Sequence, residues 1–461
     1  MKIKELKNER VAVYGVGSVF KENIKYLDTV LDILCFSDSN ESKWGMEPLS
    51  DGRKCVKPDE LSGFFVKTVI IAVENSSAIE AIRNRLNKYR FNIVPISELL
   101  TDCIRNWELL QFDKLDPKSY KTDRVEEGQI ARYVECYMLR QACNLRCSYC
   151  FVGQSRELAE TVILLKHSPD FIAKALSKDR LGGTSLISIC CDGEPLISHD
   201  MVILIRKLLE DGHFVYLISN GTLRKRMDEI CSFPQKLLNH LFIRFSYHYF
   251  ELQRLNLFDI FFENIRRFHK AGGSFTVFLV GSDIYLPVLD DLKERCVKNL
   301  GALPHVDYER DETKGDGGTL TVRSETEFLE YKKIWNSFDS EFMRFREKVD
   351  GKIRGNCNAG NWVVHLDLMT GRMSRCPVGQ YVGNIYDDIC SDIPFDQKPH
   401  ECPYNFCVCA PVFFAFGMKE DLRDAPTFYE LWNRTTLDGV NWIQDEMRGF
   451  LNGRLYESHK L

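Results

Sequence analysis

The chain has 461 residues, of which 44 % are apolar and 28 % charged, with a formal net charge of −5. That is enough apolar material for two or three buried cores, and so even a charge balance argues against a dedicated nucleic-acid surface. No run of about 18 apolar residues suggests a membrane span, and Met1-Lys-Ile-Lys is not followed by the apolar stretch of a signal peptide. The 17 cysteines are unevenly placed. Without an export signal, clustered thiols read as cytoplasmic and metal-binding rather than as a disulfide scaffold.

Residues 1–103 alternate apolar strands with amphipathic stretches, the pattern of a small parallel α/β domain. Strands are expected at Val11–Tyr14, Asp32–Phe36, Thr68–Val73 and Asn92–Pro95, with a helix over Ser77–Tyr89. Gly15 and Gly17, with Asp38 at the end of the second strand, resemble the opening of a Rossmann fingerprint, in which the acid holds ribose hydroxyls. Phe20 stands at the third glycine position. The turn therefore serves either the backbone alone or a nucleotide or nucleotide-sugar.

Residues 104–130 are polar and read as a linker. Strands then recur at Val134–Leu139, Ser185–Cys190, Phe214–Ile218, Leu241–Phe245, Phe275–Val280 and Leu303–Tyr308. Helices are expected at Glu157–Leu176, His199–Glu210, Phe258–Lys270 and Val288–Lys298. Six β/α units over residues 131–323 build a partial (β/α)6 TIM-like barrel, with functional residues at the strand C-terminal ends. Those ends carry Cys143, Cys147 and Cys150; then Asp192-Gly193-Glu194-Pro195; then Ser219-Asn220; then Ser246-Tyr247-His248-Tyr249; and last Asp307, Glu309 and Arg310.

Three thiols in one short loop suit an iron–sulfur cluster. Three ligands leave one iron of a [4Fe–4S] cubane open. A zinc knuckle would want a fourth Cys or His close by, and none follows within fifteen residues. The spacing Cys-x3-Cys-x2-Cys, with Tyr149 before the last cysteine, resembles the signature of the radical S-adenosylmethionine (AdoMet) superfamily. The resemblance implies that the open iron binds AdoMet and that Tyr149 flanks the cluster. It also implies that Asp192, Gly193, Glu194 and Pro195 replace the Gly-Gly-Glu-Pro motif beside the AdoMet ammonium. Ser219, Asn220 and Ser246 match the polar strand ends that hold its ribose or carboxylate. Tyr247 and His248 are expected to face substrate. His248 is either a proton carrier or a packing residue, and Arg310 suits a substrate carboxylate or phosphate.

Residues 324–415 start with a bridging helix over 324–349 and continue into a second cysteine field. A hairpin turning at Thr370-Gly371 brings Cys357 and Cys376 into one neighbourhood, and Cys402, Cys407 and Cys409 follow. Zinc and iron–sulfur both fit these thiols. Cys357-Asn-Ala-Gly, Gly371 and Cys376 resemble the SPASM or twitch auxiliary domain, which implies one auxiliary [4Fe–4S] cluster. Residues 416–461 form a helical tail.

The fold class is thus α/β: a Rossmann-like domain, a partial barrel and a C-terminal cysteine-rich iron–sulfur domain. The resemblance implies an enzyme that reductively cleaves AdoMet, using a flavodoxin- or ferredoxin-like electron donor, and takes hydrogen from a peptide or protein. Epimerisation, dehydrogenation or oxidation of a sugar, nucleotide-sugar or similar small molecule is the alternative. A metal-dependent binding protein without catalysis is the alternative of another class. Oligomeric state is left open.

Overall fold

The computed structural model describes residues 6, 9–49, 52–64, 66–73, 75–96, 99, 122–138, 141–155, 158–311, 322–349, 356–377, 381–401, 407, 410–418, 422 and 424–459. The chain divides into two compact units, residues 1–115 and 116–461. Most of residues 104–130 lies outside the described part.

The first unit holds β1 (Arg10–Tyr14), β2 (Asp32–Ser37), β3 (Cys55–Val56), β4 (Thr68–Ile71) and β5 (Asn92–Pro95). They pair in parallel in the order β3-β2-β1-β4-β5. The period-two alternation sorts the side chains. Val11, Val13 and Phe36 pack with Phe20 and Ile24 of the helix Ser18–Val30, and Tyr14, Val69 and Ile71 pack with Leu86 on the other face. Gly15 has φ +100°, and a Cβ there would lie 2.9 Å from Val73 and 3.1 Å from the Ala72 carbonyl. The Asp38 carboxylate accepts from Val16 N of the glycine turn at 2.7 Å and from Asn40 N and Lys43 Nζ at 2.8 Å each, so it ties that turn to the loop after β2. Phe20, at the third glycine position, is buried edge-on against Phe36.

The second unit is built on β6 (Tyr133–Met138), β7 (Leu186–Cys191), β8 (Phe214–Ser219), β9 (Leu241–Ser246), β10 (Ser274–Gly281) and β11 (His305–Tyr308). These run parallel in chain order. β12 (Asn356–Cys357) stands outside this sheet. β13 (Val363–Asp367) joins β6 in parallel, and β14 (Arg372–Ser374) and β15 (Tyr381–Asn384) continue antiparallel, giving an open nine-stranded sheet rather than a closed barrel.

One face of the sheet buries Ile187, Val215, Ile243, Phe245 and Val277 against the outer helices. The other packs Tyr133, Tyr216, Phe242 and Phe278 against Phe416, Phe428 and Trp432 of the C-terminal segment. The helix expected over Glu157–Leu176 shrinks to Pro169–Ala175, because Ser168 accepts from Phe171 N as an N-cap and Pro169 opens the helix. The bridging helix is two helices, Phe328–Asn336 and Glu341–Val349, parted at Asp339 with φ +53°. No helix among the described residues is long and apolar enough to cross a membrane.

The C-terminal hairpin forms as expected. Cys357 is buried in the same apolar core that Cys376 and Cys407 pack against. β16 (His400–Glu401) pairs antiparallel with β12, setting His400 opposite Cys357. Cys402 and Cys409 lie outside the described residues.

Candidate active site

Cys143, Cys147 and Cys150 sit on the loop after β6, each partly exposed and unpaired. Burial pushes the Cys143 thiol up to about 11, partly opposed by the hydrogen bond from Leu145 N, with Glu194 and Cys150 adding repulsion. Burial raises Cys147 further, with Cys143 and Cys150 again adding to it. Thiols that repel one another in this way ionise only beside a strong cation. Among the described residues, no group of three His, Cys, Asp or Glu side chains is gathered around a single ion. The donor set, three thiols on one loop in electrostatic contact, fits iron of a cluster.

The loop is tied down from several strand ends. Asn144 donates to Thr222 Oγ1 at 2.8 Å and accepts from Asn220 Nδ2 at 2.9 Å. Arg146 N donates to Glu251 Oε2 at 2.7 Å, and the Gln141 side chain clasps Ile163 through its N–H and carbonyl at 2.9 Å each. Behind the loop, a Cβ on Gly193 would sit 2.3 Å from the Ala142 carbonyl oxygen and 2.4 Å from that of Gln141. Both are main-chain atoms, so Gly193→Ala must displace the strand leading into the cysteines. We expect a loss of about 1–3 kcal/mol or more in unfolding free energy, together with reduced iron loading. Urea denaturation and an iron assay check both.

Glu194 lies at the centre of the strand ends and is sealed. Its Oε1 accepts from Leu196 N at 3.0 Å and Ser219 Oγ at 2.8 Å, and its Oε2 from Asn220 N at 2.7 Å. Burial lifts its carboxyl to about 7 against these three donors. The carboxylate thereby joins the ends of β7 and β8. Ser219 is likewise engaged by Glu194. Pro195 opens a single buried 3-10 turn. Asp192, at the position of the motif's first glycine, is buried and accepts from the Tyr137 hydroxyl. Ser246 ends β9, paired in register with Phe278.

Tyr149 is buried beside the cysteines. Its hydroxyl lies 2.6 Å from His248 Nδ1 and accepts from Tyr285 at 2.7 Å. Burial pushes His248 down to about 4, with Glu251 opposing. Its Nδ1 contact holds Tyr149 in place, the packing role among the two alternatives expected for it. Tyr247 departs from its expectation. It is 1 % exposed and stacks on Phe261 at 5.5 Å, in the helix-facing core rather than toward substrate. The Arg310 guanidinium lies over Phe151 at 5.8 Å, next to the cysteine loop. Asp307 is removed from substrate binding by its 2.5 Å ion pair with buried Arg346.

Residues 138–284, which run from the end of β6 past β10, match the family model of the Radical SAM superfamily. The chain carries a radical SAM domain. Similar solved structures include SuiB of Streptococcus suis, 13 % identical over 65 % of this chain and 77 % of that one, with a TM-score of 0.41. They also include anSMEcpe with bound AdoMet, 14 % identical over 56 % and 79 %, TM-score 0.39. BtrN in complex with AdoMet and 2-DOIA is 14 % identical over 59 % and 85 %, TM-score 0.28. No curated protein matches.

Sequence reasoning missed several residues that shape the candidate site. Asn144, Thr222, Glu251 and Tyr285 anchor the cysteine loop or its aromatic neighbour through contacts between distant segments. Only Asn144 carried a local signal, as a polar residue between two candidate ligands.

Proposed function

We propose that this radical SAM enzyme reductively cleaves AdoMet and abstracts hydrogen from a peptide or protein substrate. The observation that carries the reading is the loop of Cys143, Cys147 and Cys150, anchored by Asn144 and Arg146 to the strand ends beside Glu194, within a domain that matches the superfamily. Those cysteines would hold a [4Fe–4S] cluster with one open iron. When bound, the cluster and AdoMet would supply one-electron cleavage of the sulfonium and a 5′-deoxyadenosyl radical.

The chain's own residues prepare that place. Glu194 locks β7 to β8, so Asn220 and Ser246 are presented at fixed strand ends to AdoMet. Tyr149, held by His248 and Tyr285, is fixed beside the cysteines. Cys357, Cys376 and Cys407, with Cys402 and Cys409, would hold an auxiliary [4Fe–4S] cluster; the first three share one apolar core. The resemblance of this field to SPASM domains favours a peptide, and a flavodoxin- or ferredoxin-like protein would deliver electrons.

The test is anaerobic reconstitution with iron and sulfide, then AdoMet and dithionite. We expect AdoMet to perturb the electron paramagnetic resonance of the reduced cluster and 5′-deoxyadenosine to be released. Tetrahedral zinc without iron after anaerobic purification would overturn the reading.

A further inference from the structure

We propose that Arg244, with Tyr216 and Thr276, forms an oxyanion-binding floor inside the sheet that takes a carboxylate or phosphate group of the substrate. The proposal rests on the radical SAM reading above and names a chemical class for its substrate.

Register places the three residues together. Arg244 on β9 pairs with Thr276 on β10 and Ile218 on β8. Tyr216 lies two residues before Ile218, on the same face of its strand. All three are on the face opposite Ile243, Phe245 and Val277, which pack under the helices. Arg244 and Thr276 lie one side-chain layer below Ser246 and Asn220, the strand-end residues proposed for AdoMet, and Tyr216 lies one layer lower still. A group held at this depth has its neighbouring carbons directed toward the AdoMet layer.

The chemistry is that of an unfilled recognition site. The Arg244 guanidinium lies over the rings of Phe278 at 4.4 Å and Trp432 at 5.6 Å, contacts that leave its N–H donors unused. Its Nε is buried without a hydrogen-bond partner. Arg244 lies close enough to the Tyr216 hydroxyl to interact with it, and the Thr276 hydroxyl is buried and unpartnered. Tyr216 is 1 % exposed and Thr276 0 %.

The Arg244 Nε and the Thr276 hydroxyl, unsatisfied on adjacent strands, are costly unless something bonds them. A planar guanidinium flanked by two hydroxyls matches a carboxylate or phosphate, which accepts from all three. Cys190 on β7 borders the same space, and Glu135, paired with Ser188, stands level with Tyr216 and closes that side with a carboxylate. The site therefore takes one compact anionic group rather than an extended polyanion.

The test uses the full chain, cluster-loaded under argon with AdoMet present, titrated with inorganic phosphate or with succinate. Chloride at equal ionic strength is the control, and the thermal midpoint is read. We expect a saturable rise with at least one oxyanion. Arg244→Gln should weaken it by about tenfold or more, and Tyr216→Phe and Thr276→Val by several fold each. The last two remove a single oxygen or swap near-isosteres, so they decide the matter if the arginine variant does not fold. No saturable shift in the parent protein, or full retention in the variants, overturns the proposal. If Arg244→Gln abolishes the AdoMet-induced change of the cluster resonance, the anion held is AdoMet's own carboxylate and the proposal is also overturned. Failure of the radical SAM reading shows separately, as absence of 5′-deoxyadenosine from the parent protein while the oxyanion arms still score the floor.

Discussion

Cys147→Ala should give a folded chain that binds about four fewer iron atoms, one [4Fe–4S] cluster's worth, and releases no 5′-deoxyadenosine. The thiol is partly buried against the outer-helix core, and the neighbouring cysteines raise its pKa beyond what burial alone does. Its removal relieves repulsion within the trio while taking away a small apolar contact, so the apo chain should keep its stability to within about 1 kcal/mol. Two of three ligands do not hold an open-iron cluster, so the functional loss should be complete. Circular dichroism, iron content and chromatography of the reaction mixture separate the two effects. A variant that still cleaves AdoMet at the parent rate would remove Cys147 from the site.

The framework was legible because period-two alternation is a strong signal. Asn92–Pro95 was placed to the residue, and the barrel strands to within a few. Glycine caps marked helix ends, as at Gly301 with φ +76°. The same alternation was underused at the end of β9. Phe245 and Tyr247 lie on one face and Ser246 and His248 on the other, so Tyr247 should have been read with the core. Of the helix expected over Glu157–Leu176, broken or capped around Ser168-Pro169, only the part from Pro169 forms, with that pair acting as the start signal. What no local pattern carried is the pairing of β13 with β6, and the grip of Glu251 on Arg146 N. Both join segments far apart in sequence. The fate of Asp38 was equally hidden: a strand-end acid looks the same whether it meets a ribose or its own loop.

Glu194→Gln should unfold more readily than the parent at low pH, and the gap should narrow as pH rises. Ionised, Glu194 offers only acceptors to its three protein donors, and protonated it still keeps an acceptor lone pair on each oxygen. A glutamine places an amide N–H₂ against at least one of them, and a buried donor–donor conflict costs about 1–3 kcal/mol. The parent carries a different penalty. Its carboxyl titrates at about 7 in the folded chain against 4.5 ordinarily, so the native state binds the proton more tightly than the unfolded chain. Stability from this group is therefore full below 4.5 and is lost as pH rises through about 7. The slope is at most about 1.4 kcal/mol per pH unit and the total up to about 3 kcal/mol. Glutamine does not titrate, so that loss is absent from the variant. Urea unfolding of both proteins at pH 5 and pH 8 measures the convergence. Parallel pH profiles would mean that Glu194 is charged throughout, and that its three donors outweigh its burial.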